Sequence, residues 1–250
     1  MISIFCRIGK KNNLKKLIKS KIPDDYNVYV EPFVGSGVIY LNTDLKGRKA
    51  VINDLDKKLI QGWKAVKKGI TLPDDFSIEQ NINTQTNFIN QTHTDNNKIF
   101  IRELIRTCAT FGVKGFGKIY QPISKNNFKN KIKNAKLQKD LLKNTTILST
   151  DYKNVIKKYD SPKTFFYLDP PYETTKGLYK DEELNYEELN NILRKIKGKF
   201  LLSINDSPNI RNIFKGFNIS SILVQGQTKG YSLAYNKGQL KRKELLIKNY

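Results

Sequence analysis

The residues best suited to chemistry are Asp169-Pro170-Pro171-Tyr172. The run before them, Thr164-Phe165-Phe166-Tyr167-Leu168, is short, apolar and aromatic, and Pro162 and Pro170 bracket it, which is the pattern of a buried strand. An acid at the carboxyl end of such a strand sits where open α/β sheets hold their ligands. Two successive prolines fix φ and remove two N–H donors, so the turn is stiff and offers carbonyl oxygens rather than amides. A tyrosine held beside a carboxylate and those oxygens can stack on a flat ring, while the oxygens accept protons from an exocyclic amine. The combination suits the amino group of a nucleobase.

A second stretch lies upstream. Residues 28–34 read as a strand and lead directly into Gly35-Ser36-Gly37, where the missing Cβ atoms let a ligand approach the backbone. A tight strand–helix turn explains the same glycines. Residues 49–53 form a second strand, and Asp54, nineteen positions after Gly35, stands at its end. An acid at that place accepts hydrogen bonds from ribose hydroxyls, and Asp54 is equally suited to cap the next helix. That helix carries Leu55, Leu59, Ile60, Trp63 and Val66 on one face. A strand, a glycine turn, a helix and a second strand make the opening half of a nucleotide-binding α/β domain.

These stretches are positioned by a chain of 250 residues, long enough for one large domain or a domain with an insertion. Lys and Arg total 45 against 23 Asp and Glu, a formal charge of +22, which points to a polyanionic partner such as nucleic acid. Residues 10–20 suggest a short amphipathic helix. From about residue 70 to 144 the pattern changes: polar residues fill 80–97, a helix with Ile99, Leu104 and Ile105 follows, and then a glycine-rich stretch carries Phe116 and Tyr120. No acid occurs between Glu103 and Asp140, while eight lysines, Lys114, Lys118 and Lys125 among them, fall between Lys114 and Lys139. The block reads as an insertion between the second and third strands. Strands are expected again at 146–149, 200–204, 219–224 and 245–247. Helix starts are expected at Asn185, with Glu188 three residues on, and at Ser207-Pro208.

Other chemistry is poorly supported. Cys6 and Cys108 lie far apart and suggest neither a disulfide framework nor metal spacing, and the lone His93 sits in a polar stretch that reads as a surface loop. No metal site is expected. The start of the chain is too short for a signal-peptide core, and no apolar run reaches membrane-spanning length, so an intracellular, soluble protein is expected, in the cytoplasm or wherever its polyanionic partner resides.

Taken in order, Glu31-Pro32-Phe33-Val34-Gly35-Ser36-Gly37, the basic insertion, Asp169-Pro170-Pro171-Tyr172, residues 200–206 and residues 243–250 resemble the Dam-like, D12-class DNA N6-adenine methyltransferases. The resemblance implies a Rossmann-like methyltransferase fold, a mixed and mostly parallel seven-stranded sheet with helices on both faces. It also implies a catalytic domain of residues 1–69 and 145–250, and an inserted, mainly helical target-recognition domain of residues 70–144. The cofactor it implies is S-adenosyl-L-methionine (AdoMet). Glu31, Pro32, Phe33, Gly35, Ser36 and Gly37 would hold it, Asp54 its ribose, Asp151 and Tyr152 its adenine, and Lys10 of Gly9-Lys10 would lie over the cofactor and active site. Asp169, Pro170, Pro171 and Tyr172 would be catalytic, acting on an adenine flipped out of double-stranded DNA. Lys114, Phe116, Lys118, Tyr120 and Lys125 would contact the DNA. A cognate restriction endonuclease is a candidate partner. Cys6 and Ile8 replace the tryptophan and glycine usual in the family, which motivates a rival reading as a catalytically silent DNA-binding module. A further rival changes the acceptor to cytosine N4 or RNA adenine.

Overall fold

The computed structural model describes residues 3–6, 11, 13–110, 119, 121–172, 184–225 and 241–250. Its centre is one seven-stranded sheet in the order β3-β2-β1-β4-β5-β7-β6. The strands are β1 (Val28–Glu31), β2 (Lys49–Asn53), β3 (Thr145–Leu148), β4 (Thr164–Leu168), β5 (Lys199–Asn205), β6 (Asn218–Gln225) and β7 (Lys241–Lys248). All neighbours from β3 to β5 run parallel, and β7 is antiparallel to both β5 and β6. The mixed, mostly parallel sheet expected from the sequence is therefore present.

Helices cover both faces. On one lie α1 (Lys15–Lys19), α2 (Lys57–Lys68), α4 (Asn96–Cys108), α5 (Lys125–Leu137) and α6 (Lys139–Lys143), sharing a core with Tyr29, Phe165, Tyr167 and Leu201. On the other, α7 (Tyr152–Tyr159), α8 (Tyr186–Leu193) and α9 (Pro208–Ile213) pack on Val30, Phe166, Leu168 and Leu202. Alternation along β1 and β4 sends successive side chains to these two cores. That is why Thr164–Leu168, buried at every position, reads as a continuous apolar run.

The local signals that hold are caps. Asn185 accepts from the N–H of Glu188, and Ser207 from that of Ile210 with Pro208 at the first turn. Several expectations need correction. The glycine turn leads only to a single 3-10 turn at Tyr40–Asn42, not to a longer helix, because Thr43 is already extended. Leu55 precedes α2 and is exposed, and the α2 cap is Asp56 rather than Asp54. The polar stretch 80–97 holds a helix, α3 (Ile82–Asn90), started by Asn81, whose side chain accepts from two backbone N–H groups.

Cys6 and Cys108 form a disulfide, contrary to the sequence expectation, with Cα atoms 5.0 Å apart despite 102 residues of separation. Packing explains the approach. Ile4 and Phe5 are fully buried, Phe5 meets Trp63 of α2 edge-on at 5.2 Å, and Lys131 Nζ of α5 donates to the Ser3 carbonyl at 2.9 Å. The segment 3–6 is thus wedged among α2, α4 and α5. The helices of the 70–144 block belong to this same core. Arg106 of α4 donates to buried Glu103 and to the α2 cap Asp56, whose carboxylate is 2.7 Å away.

Candidate active site

The strand order places β1 beside β4, in register from Val28↔Thr164 to Val30↔Phe166. From β1 the chain proceeds outward to β2 and β3, then returns across the sheet to β4. The two strands that end in the glycine turn and in Asp169 are therefore neighbours at the point where the order reverses. Crevices form at such points. Burial raises the Glu31 carboxyl well above its ordinary range, Tyr29 hydroxyl donation at 2.7 Å opposes this, and the field of Asp169 adds to the rise.

On the β1–β3 side, three loops are stitched together by one side chain. Asn53 Nδ2 donates to the Pro32 and Thr150 carbonyls at 2.9 Å each, and Asn53 Oδ1 accepts from Thr150 N–H at 3.0 Å. Gly35 and Gly37 adopt φ of 47° and 65°, the left-handed region that glycine reaches without a Cβ penalty. They serve different ends. A Cβ on Gly37 would stand 2.6 Å from the Trp63 ring, so this glycine answers to packing beneath the turn. Gly35 is half-buried, donates its N–H to Asp54 Oδ2 at 2.9 Å and accepts from Trp63 Nε1 at 3.2 Å. Asp54 also accepts from the Asp56 N–H, so its carboxylate is held rigidly while remaining partly exposed. Phe33 and Tyr152 rings lie 5.2 Å apart and tilted by 34°. Asp151 caps α7 through the Lys153 N–H. A partly exposed carboxylate, a left-handed glycine backbone and an aromatic pair are compatible in their chemistry with the hydroxyls, the chain and the flat ring of a nucleoside cofactor such as AdoMet.

On the β4 side, the Asp169 carboxylate is partly exposed and Pro170 is buried. The Tyr186 hydroxyl donates to the Pro171 carbonyl at 2.6 Å, fixing the second half of the turn from α8. Lys11, only 4% exposed, brings Nζ to 2.8 Å from Asp169 Oδ1 and 2.6 Å from the Tyr172 hydroxyl. Burial alone would lower the Lys11 pKa, but Asp169, Tyr172 and Glu244 outweigh it and raise it. Burial raises that of Tyr172, so its hydroxyl stays protonated at neutral pH.

Sequence reasoning singled out Lys10, which lies outside the described residues, and missed Lys11 beside it. It also missed Asn53, Tyr186 and Glu244. Lys114, Phe116, Lys118 and Tyr120 likewise fall outside the described residues. Lys125 is the first residue of α5 and exposed. His93 packs on Phe88 at 4.3 Å between ring centroids, in the α3–α4 connection. Among the described residues no group of three His, Cys, Asp or Glu could hold a metal, and no helix is long and apolar enough to cross a membrane.

With this geometry, comparison with known proteins is specific. A family model described as D12 class N6 adenine-specific DNA methyltransferase matches residues 8–227. The chain is 28% identical to the Type II methyltransferase M1.LlaDCHI of Lactococcus lactis subsp. cremoris, over 97% of this chain and 93% of that protein. It is 23% identical to the Type II methyltransferase M.CviBI of Paramecium bursaria Chlorella virus NC1A, over 97% of this chain and 96% of that one. Among solved structures, an rRNA methylase from Streptococcus thermophilus covers 98% of both chains at 12% identity, with a TM-score of 0.39.

One outcome follows from the buried Glu31. Its raised folded pKa means that the folded chain binds more protons than the unfolded one above the ordinary glutamate value of about 4.3, so stability falls as pH rises from there. Glu31→Gln keeps an acceptor for Tyr29 and removes this loss. Urea unfolding without added ligand should show the variant gaining on the parent as pH increases from about 4.3 toward 8. Parallel pH profiles would contradict the assignment.

Proposed function

The chain belongs to the D12 class N6 adenine-specific DNA methyltransferase family, and from that membership we propose how its residues divide the work of methylating adenine N6 in DNA. AdoMet, when bound, supplies an electrophilic methyl group on a sulfonium. Glu31, Pro32, Phe33, Gly35 and Ser36 would hold this cofactor, with Asp54 accepting from its ribose and Asp151 and Tyr152 bordering its adenine, while Gly37, also expected there, lets the turn close on Trp63. The observation that carries the reading is the adjacency of β1 and β4, which supports one cleft for both turns.

The exocyclic amine of adenine is a poor nucleophile, because its lone pair is delocalised into the ring. The Asp169 carboxylate accepts one N–H and the Pro170 carbonyl the other, so the nitrogen can pyramidalise and free its lone pair. As positive charge grows on that nitrogen, the fixed carboxylate opposes it without reorganisation. The Pro171 carbonyl is already engaged by Tyr186, which favours Pro170 for this role. Tyr172 stacks on the extruded base, offsetting an unstacking cost of a few kcal/mol.

Residues 70–144 would be the target-recognition region, inserted into a catalytic domain of residues 1–69 and 145–250. Lys114, Phe116, Lys118 and Tyr120 remain candidates for duplex contact. On α5, Lys125, Lys129 and Lys133 are exposed and four residues apart, which aligns them in one stripe with a rise of about 6 Å per step. The block is not uniformly available to DNA. Lys131 is buried on Ser3, and Lys136 pairs with Asp74 at 2.6 Å. Protection of the methylated site from a cognate restriction endonuclease is the matching biological proposal.

Transfer of tritium from labelled AdoMet to duplex DNA, followed by nucleoside analysis, tests the reaction. The expected product is N6-methyladenine, and N4-methylcytosine or no transfer would refute the reading. In the same assay Asp169→Ala should lose about 10²-fold or more in kcat while AdoMet binding persists. Near-normal turnover would remove the electrostatic role. Replacing Lys125, Lys129 and Lys133 together by Ala should weaken DNA binding and flatten the slope of log K against log salt by about 0.9 per lost phosphate contact. An unchanged slope would place the DNA elsewhere.

A further inference from the structure

Beneath Asp169 lies a second carboxylate that the proposed chemistry does not use. Glu244 of β7 is fully buried, and it pairs in register with Asn205 of β5 and Ile222 of β6. Its Oε2 stands 3.5 Å from Ser203 Oγ and 3.8 Å from Lys11 Nζ. The Tyr167 hydroxyl, two residues before Asp169, is buried in the same layer without a hydrogen-bond partner, and the fields of Asp169, Glu31, Tyr172 and Glu244 all act on it. Among the described residues the Lys11 ammonium therefore faces two carboxylates, of which Asp169 is partly exposed and Glu244 is not.

This matters because Lys11 holds Asp169 Oδ1 at 2.8 Å, engaging the carboxylate that the adenine amine is to use. Turning Asp169 toward a substrate amine weakens that ion pair. A buried ammonium left without a counter-charge is costly. A second buried carboxylate within 3.8 Å removes the difficulty, since a small displacement of Nζ exchanges one ion pair for the other. We propose that Glu244 is a positioning residue that takes over the Lys11 ammonium and so releases Asp169 to its substrate. No covalent step is involved. Without the Glu244 carboxylate this exchange is lost, and the Lys11–Asp169 pair tightens against release.

The inference rests on the assignment of Asp169 as the group that receives the amine, and the test separates the two. Single-turnover methyl transfer to duplex DNA is measured for the full chain and for Glu244→Gln, Lys11→Met, the Glu244→Gln/Lys11→Met pair and Asp169→Ala, with AdoMet affinity measured in parallel. Glu244→Gln should lower the transfer rate about tenfold with AdoMet affinity little changed. In the Lys11→Met background the same substitution should have almost no further effect on rate, a coupling of the size found for close charged pairs. A purely structural role would lower thermal stability and rate together and would give additive losses, which overturns the proposal. An unchanged rate in Glu244→Gln also overturns it. If Glu244→Gln does not fold, Glu244→Asp keeps the charge and withdraws it by one methylene, and a several-fold rate loss is then expected, with parent-like transfer refuting the role. Should Asp169→Ala itself retain turnover, the active-site reading fails rather than the part played by Glu244.

Discussion

The parallel pairing of β1 with β4 is the constraint on which the rest depends. It follows from a chain that lays β2 and β3 to one side of β1 and then crosses back over it. At such a boundary the loops of open α/β sheets diverge, and a crevice between them needs no further scaffolding. Each wall is then fixed by few groups. Asn53 and Trp63 hold the glycine side, while the two prolines and Tyr186 hold the acidic side. Both walls stand on strands whose side chains are packed on two faces. Their separation is therefore set by the spacing of adjacent strands rather than by loop conformation.

Charge is the second constraint. The site gathers Glu31, Asp54, Asp169 and Glu244 in a chain whose formal charge is +22. Burial shifts Glu31 toward its neutral form, and Lys11 offsets the two carboxylates nearest the acidic turn. A transition state that gains positive charge on nitrogen benefits from a residual negative field in a partly dry pocket. The helix that carries the exposed stripe, α5, is tied to the segment 3–6 through Lys131 and Asn134, which both donate to the Ser3 carbonyl, and α4 is tied to α2 through the Arg106–Asp56 ion pair.

Much of this was legible in the sequence, for definable reasons. Strands buried on both faces betray themselves as short apolar runs, so β2, β4 and β5 were expected within a residue or two. Asn185 and Ser207-Pro208 announce helix starts because capping is local chemistry. What stayed hidden depends on distance along the chain. Cys6 and Cys108 meet where the segment 3–6 is buried against α2, α4 and α5. Lys11 and Glu244 are ordinary charged residues in a lysine-rich chain until β7 is inserted beside β5 and sets one under the other's partner. α3 was hidden by composition, since Asn and Thr have low helix propensity and the helix relies on its Asn81 cap and on packing. The role of Gly37 was ambiguous from sequence because close approach of a ligand and of an indole ring impose the same requirement.

Hydrogen exchange with and without AdoMet tests the central claim, that one cleft serves both turns. The account predicts slowed exchange on AdoMet addition in residues 33–37, 53–54 and 151–152, together with residues 169 and 172 across the crevice. Protection confined to one wall, or appearing at a surface remote from the β1–β4 boundary, would contradict it.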